Sequence, residues 1–194
     1  EINVPELINI KKNILKKNEQ GSINQVIKKF YNQYIIIRSS AKDEDSGKNS
    51  KGGKYGSFVK STKNLRDFYK GLSLVLKKLK SKNDEIIFQK FLSKPEVSGV
   101  VFTRDINTNA PYYVINFDRS GKTNRITSGK KNLSQQTLNI LRNYKSIPSE
   151  FVSLIKTIKK IEIIFNNDRL DIEFAIKKRK FFIFQITSLK KNNN

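Results

Sequence analysis

Apolar residues recur at helical spacing in three stretches of the chain. Residues 22–33 have Val26, Ile27 and Phe30 on one face and predict a short amphipathic helix. Two longer helices, over 63–80 and from Phe151 onward, are predicted by three- and four-residue spacing of Leu65, Phe68, Leu72, Leu76 and Leu79, and of Phe151, Leu154, Ile155, Ile158 and Ile161.

Runs of β-branched and aromatic residues predict strands between these helices. They cover residues 34–37, 85–92, 97–103, 112–117, 170–176 and 180–186. The first strand stops at Arg38, and the polar, glycine-bearing residues after it predict a long loop. The last two strands are separated only by residues 177–179, which predicts an antiparallel hairpin with a three-residue turn. Helices mixed with mainly antiparallel strands indicate an α+β fold.

Composition removes several kinds of chemistry. The 194 residues include no histidine and no cysteine, which excludes an imidazole base, a thiolate nucleophile and an ordinary zinc site. Carboxylates, amides, hydroxyls, Lys and Arg remain, and they suit phosphoryl transfer, which depends on positioning and electrostatics. Because no apolar run approaches a membrane span and no secretory core opens the chain, we expect a cytoplasmic protein without a membrane partner.

The net charge of +22 is compatible with polyanionic partners. Basic residues alternate with apolar ones throughout the chain and form no single arm or stripe. This distribution favours a compositional bias toward Lys, Asn and Ile over a nucleic-acid surface. A basic nucleic-acid-binding protein stays an alternative, and it would show steeply salt-dependent binding to any duplex without affinity for ATP.

The predicted hairpin contains oxygen ligands for a cation. Asp171 and Glu173 share one face because side chains alternate along a strand. With a three-residue turn, Asp171 lies opposite Gln185, and Glu173 lies diagonally from Gln185 on the same face. Carboxylate and amide oxygens can hold Mg²⁺, and Phe181 and Ile183 on the face of Gln185 would bury it in part. The alternative is a solvated outer face.

Two further segments suit phosphate. Arg38 ends a strand and precedes glycines at 47, 52, 53 and 56, so backbone N–H groups and a guanidinium could approach a polyphosphate. A flexible surface loop is the alternative. Ser98-Gly99 lies inside a strand, where glycine marks close approach of a ligand or of another backbone, or a bulge. Arg104 follows that strand as a candidate second phosphate clamp.

Seven short motifs occur in a fixed order along the chain. They are RSSAKDED (38–45), GKYGSF (53–58), FQ (88–89), SGVVFTR (98–104), TSG (127–129), DIEF (171–174) and FQ (184–185). This series resembles the ATP-grasp nucleotide-binding domain of the phosphoenolpyruvate synthase and pyruvate phosphate dikinase family, over residues 35 to 187. The resemblance implies an ATP-grasp fold whose two lobes, about 1–88 and 89–187 with a tail at 188–194, hold ATP between mainly antiparallel sheets.

The resemblance also implies roles for individual residues. Arg38 and Arg104 would be catalytic and contact the phosphates, Gln89 would line the adenine pocket, and Glu173 and Gln185 would bind Mg²⁺. The remaining nucleotide-binding positions would be Gly53, Ser98, Gly99 and Gly129. The implied activity is that of a kinase or dikinase, which passes a phosphoryl group from ATP to a histidine on a separate swivelling domain and then to a small-molecule acceptor. We therefore expect the chain to be part of a larger multidomain protein.

Three positions depart from the family pattern. No Gly-Gly-Lys segment precedes residue 35, Thr187 stands where the family often has arginine, and residues 118–125 replace a Leu-Gly-Glu segment. Arg119, Lys122 or Arg125 are candidates to replace the missing cations. A non-catalytic ATP sensor is consequently the alternative to an active phosphotransferase.

Overall fold

The apolar periods of the sequence form helices and strands in the computed structural model, which describes residues 2–40, 57–121, 135–144 and 146–189. In chain order these elements are β1 (Leu7–Lys11), α1 (Lys12–Lys17), α2 (Glu19–Lys29), β2 (Tyr34–Ser40), β3 (Phe58–Ser61), α3 (Leu65–Leu76), β4 (Glu85–Lys90), β5 (Val97–Phe102), β6 (Tyr112–Asp118), β7 (Gln135–Leu141), α4 (Ser149–Phe165), β8 (Leu170–Lys177) and β9 (Lys180–Ser188). The α+β class with mainly antiparallel sheets is confirmed.

The unit Pro5–Leu92 contains the first sheet. Its strand order is β1-β4-β2-β3, and neighbouring strands run antiparallel. Alternation along β2 buries Ile35 and Ile37 in one core with apolar residues of α2 and α3. Arg38 therefore lies on the opposite face of this sheet. Gln89 of β4 lies on that same face, because it is paired with Ile36, two residues before Arg38.

Helix α3 confirms the prediction for residues 63–80, with ends at Leu65 and Leu76. The Asn64 side chain caps it by accepting a hydrogen bond of 3.1 Å from the backbone N–H of Asp67. Phe68 and Leu72 are buried against the sheet, and the Phe68 ring stacks on that of Phe88 at 6.1 Å.

The second unit contains a sheet of order β7-β6-β5-β8-β9, again antiparallel throughout. One face packs on α4, which confirms the predicted helix through its buried residues Phe151, Leu154, Ile155, Ile158 and Ile161. Side chains alternate between the two faces of a strand, and Val101 and Ile172 face the α4 core. Their alternates on β5 and β8 therefore lie on the face away from α4: Ser98, Val100, Asp171 and Glu173.

The boundary between the units lies after Leu92. The backbone N–H of Phe91 still donates to the carbonyl of Tyr34 at 2.9 Å, so the chain stays tied to the first sheet beyond the expected division at about residue 88. Residues Glu1–Val4 belong to the second unit with Ser93–Asn194. There Asn3 bridges to Phe182 of β9, and its carbonyl accepts from Ile183 N–H at 2.9 Å.

Several boundaries differ from the sequence prediction. Strand β2 continues to Ser40, so Arg38 lies within a strand and does not end it. Helix α2 begins and ends earlier than the predicted 22–33. The prediction missed β1, α1, β3 and β7. Within the described ranges, no helix is long and apolar enough to cross a bilayer.

Candidate functional site

The turn between β8 and β9 contains two residues, not the predicted three. Lys178 and Arg179 both have positive φ, 50° and 60°, and Lys177 pairs with Lys180. Positive φ at both central positions is the requirement of a type I′ turn, whose twist matches that of the strands. A regular ladder continuing from this turn would place Phe184 opposite Glu173.

A β-bulge changes that register. The pairing shifts between Glu173 and Phe174, which leaves Phe184 as the extra residue and brings Gln185 directly opposite Glu173. Asp171 lies opposite Thr187, so the predicted pairing of Asp171 with Gln185, and the diagonal placement of Glu173, were wrong. The predicted neighbours Phe181 and Ile183 were also wrong for Gln185, because they pair with Ile176 and Phe174 on the side of the α4 core.

The Glu173–Gln185 pair belongs to a row that crosses all five strands. Register places Thr137, Asn116, Val100, Glu173 and Gln185 opposite one another in that order, from β7 to β9. We call these five residues the Glu173 row. They share the face away from α4, since Val101 and Ile172 beside them are buried in the α4 core. The row therefore provides carboxylate, amide and hydroxyl groups on one surface of the sheet.

Two carboxylates lie close together at this row. Burial, together with the nearby charge of Glu173, raises the pKa of Asp171 to about 7. The Asp171 Oδ1 atom is buried and has no hydrogen-bond donor among the residues that the structure describes. Buried oxygen atoms without donors and mutual repulsion of carboxylates are both relieved by a cation, so these residues fit a hard metal ion.

The acidic part of the site is a pair rather than a cluster. In the described segments, no group of three or more His, Cys, Asp or Glu side chains is arranged to hold a metal. A cation at this face would accordingly depend on Gln185 as well as on the carboxylates. Mg²⁺ is commonly held by one or two carboxylates together with water and substrate phosphates, and this set of ligands is sufficient for it.

Ser98 and Gly99 lie on different faces of β5. Ser98 is buried on the face of the Glu173 row, opposite Ala175. Gly99 points toward the α4 core, where a Cβ atom would lie 2.3 Å from the carbonyl oxygen of Asn116 and 2.9 Å from Phe174 Cε1. Close approach of another backbone, one of the interpretations open from sequence, accounts for this glycine.

Arg104 follows β5 and is engaged with protein groups. Its Nε and Nη2 donate to Asp168 Oδ2 at 3.0 and 2.5 Å, and Nη1 donates to the carbonyl of Asn109 at 3.3 Å. The hydrogen bonds from Arg104 lower the pKa of Asp168. Contact of Arg104 with phosphate is predicted from sequence. It would require the ligand either to displace Asp168 or to bind beside the Arg104–Asp168 ion pair.

In the first unit, Gln89 is fully buried although it carries a polar amide. Neither its Oε1 nor its Nε2 has a hydrogen-bond partner among the described residues, and it lies between Leu7 and Ile36 in the sheet. A buried amide without partners costs free energy, which is typical of a position that is completed by a ligand or water.

Two predicted positions, Gly53 and Gly129, lie outside the described residues, as do Lys122 and Arg125.

Sequence reasoning missed a polar cluster beside α4. Arg142 donates to both carboxylate oxygens of Glu162, at 2.7 and 2.9 Å, and to the carbonyl of Thr103 at 2.8 Å. Tyr113 donates to Glu162 at 3.1 Å, and burial raises its pKa. Burial opposes the charge of Arg142, yet its hydrogen bonds to Glu162 raise its pKa overall. The cluster borders a cavity of about 590 Å³ on the α4 side of the sheet.

Sequence reasoning also missed Asn116 and Thr137, because β7 was not predicted. Arg119, a candidate phosphate cation, pairs instead with Glu150 at 2.6 Å in the structure. The groups that the structure brings together are thus Asp171, Glu173 and Gln185.

Comparison with solved structures identifies the architecture. The chain is similar over 97% of its length to the VanG D-Ala:D-Ser ligase of Enterococcus faecalis, with 12% identity, a TM-score of 0.54 and 48% of that chain covered. D-alanyl-alanine synthetase A of Vibrio cholerae gives 11% identity and a TM-score of 0.53, again over 97% of this chain and 51% of the other. The chain has the ATP-grasp fold.

A third ATP-grasp structure was solved with nucleotide. The D-alanine–D-alanine ligase of Bacillus anthracis complexed with ATP matches 97% of this chain and 51% of its own, with 11% identity and a TM-score of 0.51. This chain spans about half the length of the solved structures that it matches. No protein-family model and no curated protein matches it. These likenesses support the ATP-grasp part of the sequence resemblance, and the neighbours are ligases rather than members of the phosphoenolpyruvate synthase family.

Proposed function

We propose that this ATP-grasp domain binds Mg²⁺-ATP on the face of the Glu173 row and takes part in ATP-dependent phosphoryl transfer. The direct pairing of Glu173 with Gln185, which the β-bulge produces beside the half-buried Asp171, is the observation that carries the proposal. A cation held by Glu173 and Gln185 would neutralise charge on the phosphate oxygens. The ATP-bound B. anthracis neighbour supports ATP as the nucleotide.

Roles for the other predicted residues follow from the sequence resemblance. Arg38 and Arg104 would donate to phosphate oxygens, and Gln89 would hydrogen-bond the base with its buried amide. Gly53, Ser98 and Gly129 would complete the nucleotide-binding positions, whereas Gly99 faces the α4 core on the other side of the sheet. Loss of one such preorganised donor to a reacting group costs about 3–4 kcal/mol of transition-state stabilisation in other enzymes.

The finer proposal is transfer to a histidine on a separate swivelling domain and then to a small-molecule acceptor. The ordered motifs from RSSAKDED to DIEF support this reaction. The chain contains no histidine, so the phosphorylated histidine must belong to another domain or protein. Such a domain, in the same polypeptide or in a partner, would bring its imidazole to the bound nucleotide.

A ligase reaction is the second candidate. The VanG D-Ala:D-Ser ligase and the two D-alanine ligases reported above share this fold, and these ligases join amino acids. In this case the phosphoryl acceptor would be a carboxylate, and an amine or hydroxyl would displace phosphate from the resulting acyl phosphate. Both candidates require the same Mg²⁺-ATP site.

Calorimetric titration with Mg²⁺-ATP tests the site. Glu173→Gln and Gln185→Leu are expected to weaken binding about tenfold or more, because each removes an oxygen ligand from the cation. Glu6→Gln is the matched control, since Glu6 is an exposed carboxylate of the first unit. Unchanged affinity in both site variants would place the cation elsewhere and overturn the proposal.

The acceptor is distinguished by trapping the phosphorylated product from [γ-³²P]ATP in the full-length protein. An acid-labile, base-stable label on a histidine supports the phosphotransferase. A hydroxamate formed with hydroxylamine in the presence of a carboxylate substrate supports the ligase. Tight binding without either product supports the sensor function, in which nucleotide binds without turnover.

A further inference from the structure

The Glu173 row continues beyond the proposed metal ligands to a second polar group. Val100 lies opposite Glu173 on one side and opposite Asn116 on the other, and Thr137 follows Asn116 on the outermost strand β7. Two strand spacings separate Glu173 from Asn116, which is about 10 Å between backbones. The row thus has carboxylate and amide oxygens at one end, an apolar middle and an uncharged polar group at the other end.

The orientation of the Asn116 amide is fixed by its neighbour. Thr137 Oγ1 donates to Asn116 Oδ1 at 2.6 Å, which occupies the acceptor end of the amide. An asparagine amide has two N–H groups as well as its carbonyl. Because Thr137 engages the carbonyl, the Nδ2 atom is turned away from Thr137, and no residue in the described ranges accepts a hydrogen bond from its N–H groups.

The surroundings of the Asn116 N–H groups determine which ligand atoms they can bind. Asn116 is half-buried, and the side chains next to it in the row are the apolar Val100 and the hydroxyl-bearing Thr137. A neutral donor in this setting binds an anionic oxygen without the desolvation cost of a buried cation. A polyphosphate whose oxygens are bound by a cation at Glu173 has further anionic oxygens within reach along the row.

We propose that Asn116 donates its amide N–H to an oxygen of the phosphorylated ligand bound at the Glu173–Gln185 site, and that Thr137 is a positioning residue that orients this amide. The inference rests on the proposed function, because the ligand is the one that the cation holds. It adds an uncharged hydrogen-bond donor to the two proposed oxygen ligands of the cation, Glu173 and Gln185.

The test compares Mg²⁺-ATP affinity, measured by calorimetry, among variants of the two residues. Asn116→Ala is expected to weaken binding about tenfold, the range of one hydrogen bond to a charged group, and Asn116→Asp to weaken it further through repulsion. Thr137→Val removes the orienting hydroxyl and is expected to weaken binding by about threefold, whereas Thr137→Ser, which retains it, restores affinity. Asn24→Ala, on an exposed helix position, and Thr157→Val, on a half-buried one, are the matched controls.

A second readout separates a ligand contact from a structural effect. Mn²⁺ binding without nucleotide, followed by electron paramagnetic resonance, is expected to be unchanged in Asn116→Ala and lost in Glu173→Gln. If Asn116→Ala binds Mg²⁺-ATP as tightly as the unaltered protein while Glu173→Gln does not, this inference is wrong and the proposed function stands. If neither Glu173→Gln nor Gln185→Leu has an effect, or the unaltered protein does not bind Mg²⁺-ATP, the proposed function fails and the inference fails with it. Equal losses in Asn116→Ala and in both controls would also overturn it.

Discussion

At the scale of single residues, folding alters the ionisation of Asp171. Its burial beside Glu173 raises its pKa to about 7, whereas an aspartate in an unfolded chain has a pKa of about 4. The folded protein therefore holds a proton on Asp171 between these pH values and the unfolded chain does not. Folding becomes less favourable as the pH rises through this window, since the unfolded state loses its proton first.

We expect the metal-free protein to be less stable at pH 8 than at pH 5 because of this residue. The contribution of Asp171 to the free energy of unfolding is expected to fall by on the order of 2 kcal/mol across that interval. Asp171→Asn, which cannot ionise, should remove that part of the difference. Urea unfolding in the presence of a chelator measures both proteins at both pH values. The same pH difference in Asp171→Asn would show that Asp171 ionises normally in the folded protein.

At the scale of elements, the β8–β9 hairpin determines which side chains reach the site. The two-residue turn and the bulge at Phe184 act together, because Phe184 paired in a regular ladder would place Gln185 opposite Ile172. Bulges near functional sites re-aim side chains in this way.

Deletion of Phe184 tests this account of the hairpin. Removing the extra residue leaves a regular ladder in which Gln185 is still opposite Glu173, so Mg²⁺-ATP affinity is expected to remain within about threefold of the unaltered protein. Insertion of one alanine between Phe184 and Gln185 moves Gln185 opposite Ile172 and should reduce affinity about tenfold or more. Calorimetry measures both variants, and circular dichroism checks that each is folded. Loss of affinity in a folded deletion variant would contradict the register.

Sequence was sufficient for the elements with strong periodicity and insufficient for the register. The spacing of Leu65, Phe68 and Leu72 predicts α3 because a helix with one buried face must repeat in this way. The segments LINIK and QQTLNIL became β1 and β7 only through pairing with distant strands, which local pattern does not encode. In the run Phe181 to Phe184 every residue is apolar, so alternation cannot reveal which one is extra.

The candidate site was predicted to a similar extent. Glu173 and Gln185 were found together on one face, because the DIEF and FQ motifs fall on paired strands. The engagement of Arg104 with Asp168 could not be predicted, since 64 residues separate them in sequence. Asn116 and Thr137 were missed for the same physical reason, because their contact depends on the pairing of β6 with β7.

At the scale of the whole molecule, the two units have separate hydrophobic cores. The buried cluster around Leu72 contains residues of the first unit, and the cluster around Ile158 contains residues of the second. Destabilising one core is therefore expected to affect mainly its own unit.

Leu72→Ala and Ile158→Ala form a matched pair for this prediction. Each truncates a side chain that is at most 1% exposed, which typically lowers the free energy of unfolding by about 2–5 kcal/mol. Hydrogen exchange should accelerate in β2 and β4 for Leu72→Ala, and in β5 and β8 for Ile158→Ala. Equal acceleration of all four strands in both variants would show that the units unfold as one.

The placement of Asn3 affects how the second unit can be isolated for study. Strand β9 is the last strand of its sheet, and its outer edge is covered at Phe182 and Ile183 by the first residues of the chain. A recombinant fragment that starts at Ser93 would leave those backbone groups exposed beside apolar side chains, an arrangement that promotes aggregation between sheet edges. Joining residues 2–4 to Ser93 through a flexible linker would keep the edge covered while removing the whole of the first unit.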